Sequence, residues 1–140
     1  MTEGFSAEER AAVKARANEL KNAGRGKDKD EAALLAAIAE MGEPDRALAE
    51  RVHAIVTAAA PDLAPKTWYG QPAYARPGKG GKVVCFFRSG LKDKERYSSL
   101  GFTAEANLDE DGFWPTSYAV TELSEAAEAA LYQLVKRAVS

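Results

Sequence analysis

The sequence predicts a two-layer α+β domain in which a mainly antiparallel sheet of about four strands is packed by helices. Two distributions lead to this reading. Ten of the twelve aromatic residues lie between positions 68 and 118, whereas the first 66 residues are alanine-rich and hold only Phe5. Alanine favours helix and aromatics favour strand, so helices come first, then a sheet, then a closing helix. The strand candidates are joined by short links that suit hairpins, which makes the sheet antiparallel. At 140 residues the chain fits one domain.

Ser6 and Glu9 form a capping box ahead of a helix over 7–22. Its apolar stripe of Val13, Ala17 and Leu20 is thin, which predicts loose packing. Residues 23–29 read as a polar linker. A second helix starts near Asp30 with Leu34, Leu35, Ile38 and Met41 on one face, and Gly42 and Pro44 end it. A third carries Leu48, Val52, Ile55, Val56 and Ala59 as a continuous stripe, leaving Arg46, Glu50, His53 and Thr57 on other faces. His53 is therefore expected at the surface.

Thr67–Arg76 reads as one extended segment, with Pro72 pushing it toward an edge or a bulge. Residues 77–81 form a turn. Lys82–Arg88 is the strongest strand, with Val83, Cys85 and Phe87 on one face and Val84 and Phe86 on the other. Apolar residues on both faces place it centrally, and Cys85 is expected to be a buried, unreactive thiol. Further strands are expected at Arg96–Phe102 and Ser117–Thr121, separated by an acidic loop at 107–112. Ser124 caps a last helix whose stripe is Ala127, Leu131, Leu134, Val135 and Ala138.

Composition narrows the function classes. One cysteine and one histidine leave no intrachain disulfide, no Cys/His zinc site and little histidine-based catalysis. There is no GxSxG motif, and the glycines of 78–81 lack the spacing and following helix of a phosphate loop. The N-terminus has neither the basic head nor the apolar run of a signal peptide, and no stretch is apolar enough to span a membrane, so a cytoplasmic chain is expected. The net charge of −2 conceals an asymmetry: residues 66–96 carry +6 and the remainder −8. A basic middle favours anionic partners. Nucleic acid is not expected among them, because the overall charge and a pI near 5.5 argue against a large footprint.

The run Trp68-Tyr69-Gly70-Gln71-Pro72-Ala73-Tyr74 is the most unusual in the chain. Aromatic rings with polar tips suit a ligand pocket, and Gly70 allows close approach. The expected site is Trp68, Tyr69, Gln71, Tyr74, Arg76, Arg88, Arg96 and Tyr97 on an aromatic and basic sheet region. Its ligand would be a small anion or a protein partner, bound without catalysis and without a required cofactor.

That run, together with residues 82–87, 97–102 and 114–120, resembles the YdhG-like family. The similarity covers roughly 44–138, with 6–41 as an N-terminal helical extension. The resemblance implies a compact fold related in shape to frataxin. Some such proteins are described as iron chaperones for iron–sulfur assembly, so the resemblance also implies an alternative role in binding iron. Exposed carboxylates along a helix would carry that role, and the matching helix offers Asp45 and Glu50 with Arg46 and Arg51 among them. The loop carboxylates Asp109, Glu110 and Asp111 are further candidates, since hard cations take oxygen ligands. The resemblance supplies no catalytic residue.

Overall fold

The computed structural model describes residues 4–17 and 29–140 in full and residues 18–23 by their backbone. Leu20, expected on the first stripe, and most of the expected polar linker lie outside the fully described residues. The element order is α1 (Ala7–Ala23), α2 (Lys29–Ala39), α3 (Asp45–Ala59), β1 (Ala64–Trp68), β2 (Gln71–Ala75), β3 (Val83–Arg88), β4 (Ser98–Phe102), β5 (Ser117–Val120) and α4 (Glu125–Val139). The strands form one antiparallel meander in the order β1-β2-β3-β4-β5.

The sheet has five strands rather than about four because the segment read as Thr67–Arg76 is a hairpin. Trp68 pairs with Gln71 across a two-residue turn, and Tyr69 and Gly70 both have positive φ, 54° and 77°. Two consecutive left-handed residues define a type I′ turn, whose twist matches that of the flanking strands. Pro72 sits on β2, which has neighbours on both sides and is not an edge strand. The β2–β3 register begins one residue later, at Ala73 opposite Phe86, so that ladder does without a donor at Pro72.

A bulge resets the faces of β3, as expected the central strand. Cys85 pairs with Tyr74 but Val83 pairs with Ala75, leaving Val84 as the extra residue. Val84, Cys85 and Phe87 therefore join the main core, while Val83 joins Phe86 on the opposite face. Strict alternation would have put Val83 with Cys85 and Val84 with Phe86.

All four helices contribute to the main core, where Val13, Leu34, Val52, Ile55 and Val135 meet Tyr74, Phe87 and Leu100. Among the described residues no helix residue enters the small cluster of Ala73, Ala75 and Val83 on the other face, which Trp68 and Phe86 border. The helices thus cover one face of the sheet. α2 lies along β1 and β2, α4 packs on α3, and α1 packs on α3.

That placement of α1 encloses His53 and Thr57, the side of α3 expected at the surface. His53 is 1% exposed. Its Nε2 lies 3.1 Å from Glu31 Oε2 on α2, and its Nδ1 lies 2.8 Å from the Tyr74 hydroxyl on β2. Arg16 of α1 donates to Glu31 at 3.0 Å and to the Thr57 hydroxyl at 2.9 Å. A carboxylate only accepts, so a neutral His53 donates from Nε2 and accepts the phenol proton at Nδ1. α1 is also held more firmly than its thin stripe predicts. Val13 is fully buried, Phe5 packs edge-on against Tyr132, and Arg10 pairs with Glu125. The capping box and the Ser124 cap form as read: Glu9 N–H donates to Ser6 Oγ, Ser6 N–H donates to Glu9, and Ser124 accepts from Ala127 N–H.

Replacing Tyr74 with phenylalanine keeps the ring and leaves Nδ1 of a buried histidine without its partner. A loss of about 1–3 kcal/mol in stability is expected. Urea unfolding, read as a lower midpoint at unchanged slope, checks it.

Candidate functional site

The type I′ turn carries the strongest local anomaly. Glycine enters the left-handed region freely, but a tyrosine there is an outlier. Tyr69 adopts it and is nevertheless 84% exposed, so burial does not offset the strain. Beside the turn the β3–β4 loop folds back, its start fixed by Asp45 at the head of α3. Asp45 accepts from Ser89 Oγ at 2.6 Å and from Leu91 N–H at 2.9 Å. The loop, the turn and the C-terminal end of α2 enclose a cleft of about 730 Å³.

The cleft has an apolar floor and a charged rim. Ala37, the acid Glu40 and Met41 come from α2 and its end, and Leu91 from the loop. Tyr69, Gly70 and Gln71 come from the turn, Arg88 from the end of β3, and Lys92 and Asp93 from the loop. Arg88 is occupied: it pairs with Asp93 at 2.8 Å and donates to Ser99 Oγ at 2.9 Å. Lys92 is different. Its Nζ hangs over Gly70, 3.4 Å from where a Cβ would stand, and it makes no ion pair among the described residues.

Of the eight residues expected at the site, Tyr69, Gln71 and Arg88 line this cleft. Trp68 turns onto the helix-free sheet face, its ring centroid 5.3 Å from that of Phe86. Tyr74 is fully buried on the helix side with His53, out of reach of a ligand. Adjacent strand residues point to opposite faces, so one run of aromatics could not all serve one pocket. Arg76 lies at the other end of β2, donating to the Glu105 carbonyl at 3.0 Å. Arg96 lies over the Tyr97 ring at 5.2 Å, and Tyr97 belongs to a smaller recess near Asp45. Sequence reading missed Leu91 and Lys92, which the turn at Gly90 brings back over the β1–β2 hairpin. The glycine is needed there because a Cβ would stand 2.3 Å from the Tyr97 carbonyl oxygen.

The carboxylates proposed for a cation do not converge. Asp45 is 5% exposed and committed to the loop. Glu50 is exposed on α3, and Asp109, Glu110 and Asp111 lie in an exposed loop, where Glu110 faces Arg137 at 3.8 Å. Among the described residues no three His, Cys, Asp or Glu side chains form a group that could hold a metal ion. Cys85 is fully enclosed, and burial pushes its thiol up to about 12. Among the described residues no helix is long and apolar enough to cross a membrane. Comparison with protein-family profiles, with curated proteins and with solved structures returns no match.

Burial alone would raise the Asp45 carboxyl, but the donors on the loop outweigh it and hold it below its ordinary value. A carboxyl depressed by folding adds stability that is present above its unfolded value, near 3.8, and lost as pH falls through the folded value. The stability that Asp45 contributes should therefore be lost as pH falls below about 4. Asp45→Asn should be less stable at neutral pH and show a shallower acid limb in denaturant titrations across pH.

Proposed function

We propose that the chain is a non-enzymatic binding protein whose ligand is a small organic anion held in the cleft beside the β1–β2 turn. The observation that supports this most is an exposed tyrosine in a left-handed turn next to an unpaired lysine. A left-handed backbone costs a non-glycine residue roughly 1–2 kcal/mol. Such strain gathers at ligand clamps, where the ligand rather than the fold gives it a use. Tyr69 would cover the apolar body of the ligand against Met41 and Leu91, and Lys92 would meet its charge. Gln71 adds a donor and an acceptor at the same rim.

Two further features fit. A concave site in which apolar side chains such as Met41 and Leu91 meet convergent polar groups is the usual place for a small molecule. A second recess, about 390 Å³ between β5 and α4, is almost wholly apolar and is lined by Glu122 with no cation. The lone histidine is tied up inside the fold by Glu31 and Tyr74 and does not reach the cleft.

Thermal-shift titration with a panel of small carboxylates and phosphate esters tests the reading. A ligand at about 100 times its dissociation constant should add roughly 2.7 kcal/mol and raise the melting temperature. Tyr69→Asn should separate strain from use. Asn-Gly is the preferred type I′ pair, so the variant should be as stable as wild type or more stable by about 0.5–1 kcal/mol, yet bind the anion at least several-fold more weakly. Lys92→Ala should weaken binding without changing the fold. Binding unaltered in both variants, or no shift with any anion, would rule this cleft out.

A further inference from the structure

The sheet face that no helix covers has a second, separate character. Across it, register sets Lys66 opposite Ala73, Ala73 opposite Phe86, Phe86 opposite Gly101 and Gly101 opposite Ser117. Phe86 thus stands in a row of small residues. Its ring lies over Gly101, where a Cβ would come within 2.5 Å of it. Trp68 leans on Phe86, with Tyr69 continuing the line at 5.0 Å from Trp68. The result is an aromatic platform on an open sheet, raised above a floor of alanine, glycine and serine.

The charge around that platform is mixed at one end and basic at the other: at the β3–β4 end Arg88, on the same face opposite Ser99, carries Asp93 and Glu95. No aspartate or glutamate occurs in any of the five strands. Lys66 lies on the face itself, and Arg76, Lys79 and Lys82 gather at the β2–β3 end. Among the described residues the three lysines make no ion pair, and Arg76 meets a neutral carbonyl, so their charges are uncompensated.

We infer that this face binds single-stranded nucleic acid, with bases stacked on Trp68 and Phe86 and the backbone following Lys66 and the β2–β3 turn. Stacking suits any base, because every base has a π-face, so weak sequence preference follows. A protein partner is disfavoured: an apolar docking surface would not set its rings among uncompensated cations. The net charge of −2 does not oppose the inference, since the strands hold no acid and the cations at the β2–β3 end have no carboxylate partner among the described residues. The cleft described above is not required, because neither Phe86 nor Lys66 lines it.

Fluorescence anisotropy of a labelled oligothymidylate, titrated with the protein at about 20 mM salt and then at rising salt, tests it. Binding should weaken with salt along a log–log slope of roughly −2, as three contacted phosphates require. Trp68→Ala should weaken it about tenfold or more. Lys66→Glu should weaken it and flatten the slope while leaving the melting temperature near wild type, so a folding defect cannot mimic its effect. Anion binding at the cleft, measured on the same Lys66→Glu protein, should persist. No binding at low salt, equal binding to a duplex of the same length, or full binding by both variants would overturn the assignment.

Discussion

One buried imidazole decides how the helices sit on the sheet. His53 has two nitrogens and both are spoken for, by a carboxylate on α2 and a phenol on β2. A polar ring taken out of water costs several kcal/mol unless it is hydrogen-bonded, so these partners are requirements of the fold. The carboxylate in turn needs a cation, and Arg16 of α1 supplies it while bonding Thr57 one turn along α3. Three helices and a strand are thereby fixed in register by directional bonds, where apolar packing alone would tolerate sliding. Among the described residues no buried side-chain polar atom lacks a partner, so the network is complete in the sense that makes such networks stabilising.

Most of the fold was legible because period is a strong signal. The stripes of α2, α3 and α4, the capping serines and the central place of β3 all follow from spacing and local chemistry. What failed did so where a third element intervened. Periodicity on α3 shows its main apolar face, and it cannot show that α1 and α2 close over the flank that carries His53 and Thr57. His53 looked exposed for that reason, although a histidine one turn from a threonine in the apolar C-terminal half of the helix was the available sign. The hairpin at Tyr69-Gly70 was hidden because its turn lacks the usual asparagine or aspartate. The bulge at Val84 was hidden because an apolar run looks the same in either register.

The candidate site was legible in its centre and not in its extent. The aromatic run marks the turn that bounds the cleft and also the ring that leads onto the open face. Strand alternation then divides that run among three destinations: Trp68 to the outer face, Tyr69 to the cleft rim and Tyr74 to the core. Composition cannot make this division, because it depends on where the chain reverses. Lys92 and Leu91 reach the cleft through a loop whose course is set by Asp45, a residue 46 positions from Leu91 in sequence. Such a pairing of a carboxylate with distant backbone donors leaves no trace in local pattern.

The two sites share a boundary, and that boundary explains why the strain at Tyr69 sits where it does. A type I′ turn with asparagine and glycine would close the hairpin more cheaply, and nothing in the core asks for a tyrosine: its ring is exposed and touches only Trp68 among aromatic partners. Trp68 in turn is positioned by Phe86, and Phe86 by the absence of a side chain at Gly101. The sequence has given up β propensity at Gly101 and turn propensity at Tyr69 to keep three rings in line. Sheet stability alone would favour the opposite choice at both positions. Local choices that work against the fold, at neighbouring points on one surface, are what a binding surface would require, and both proposals rest on them.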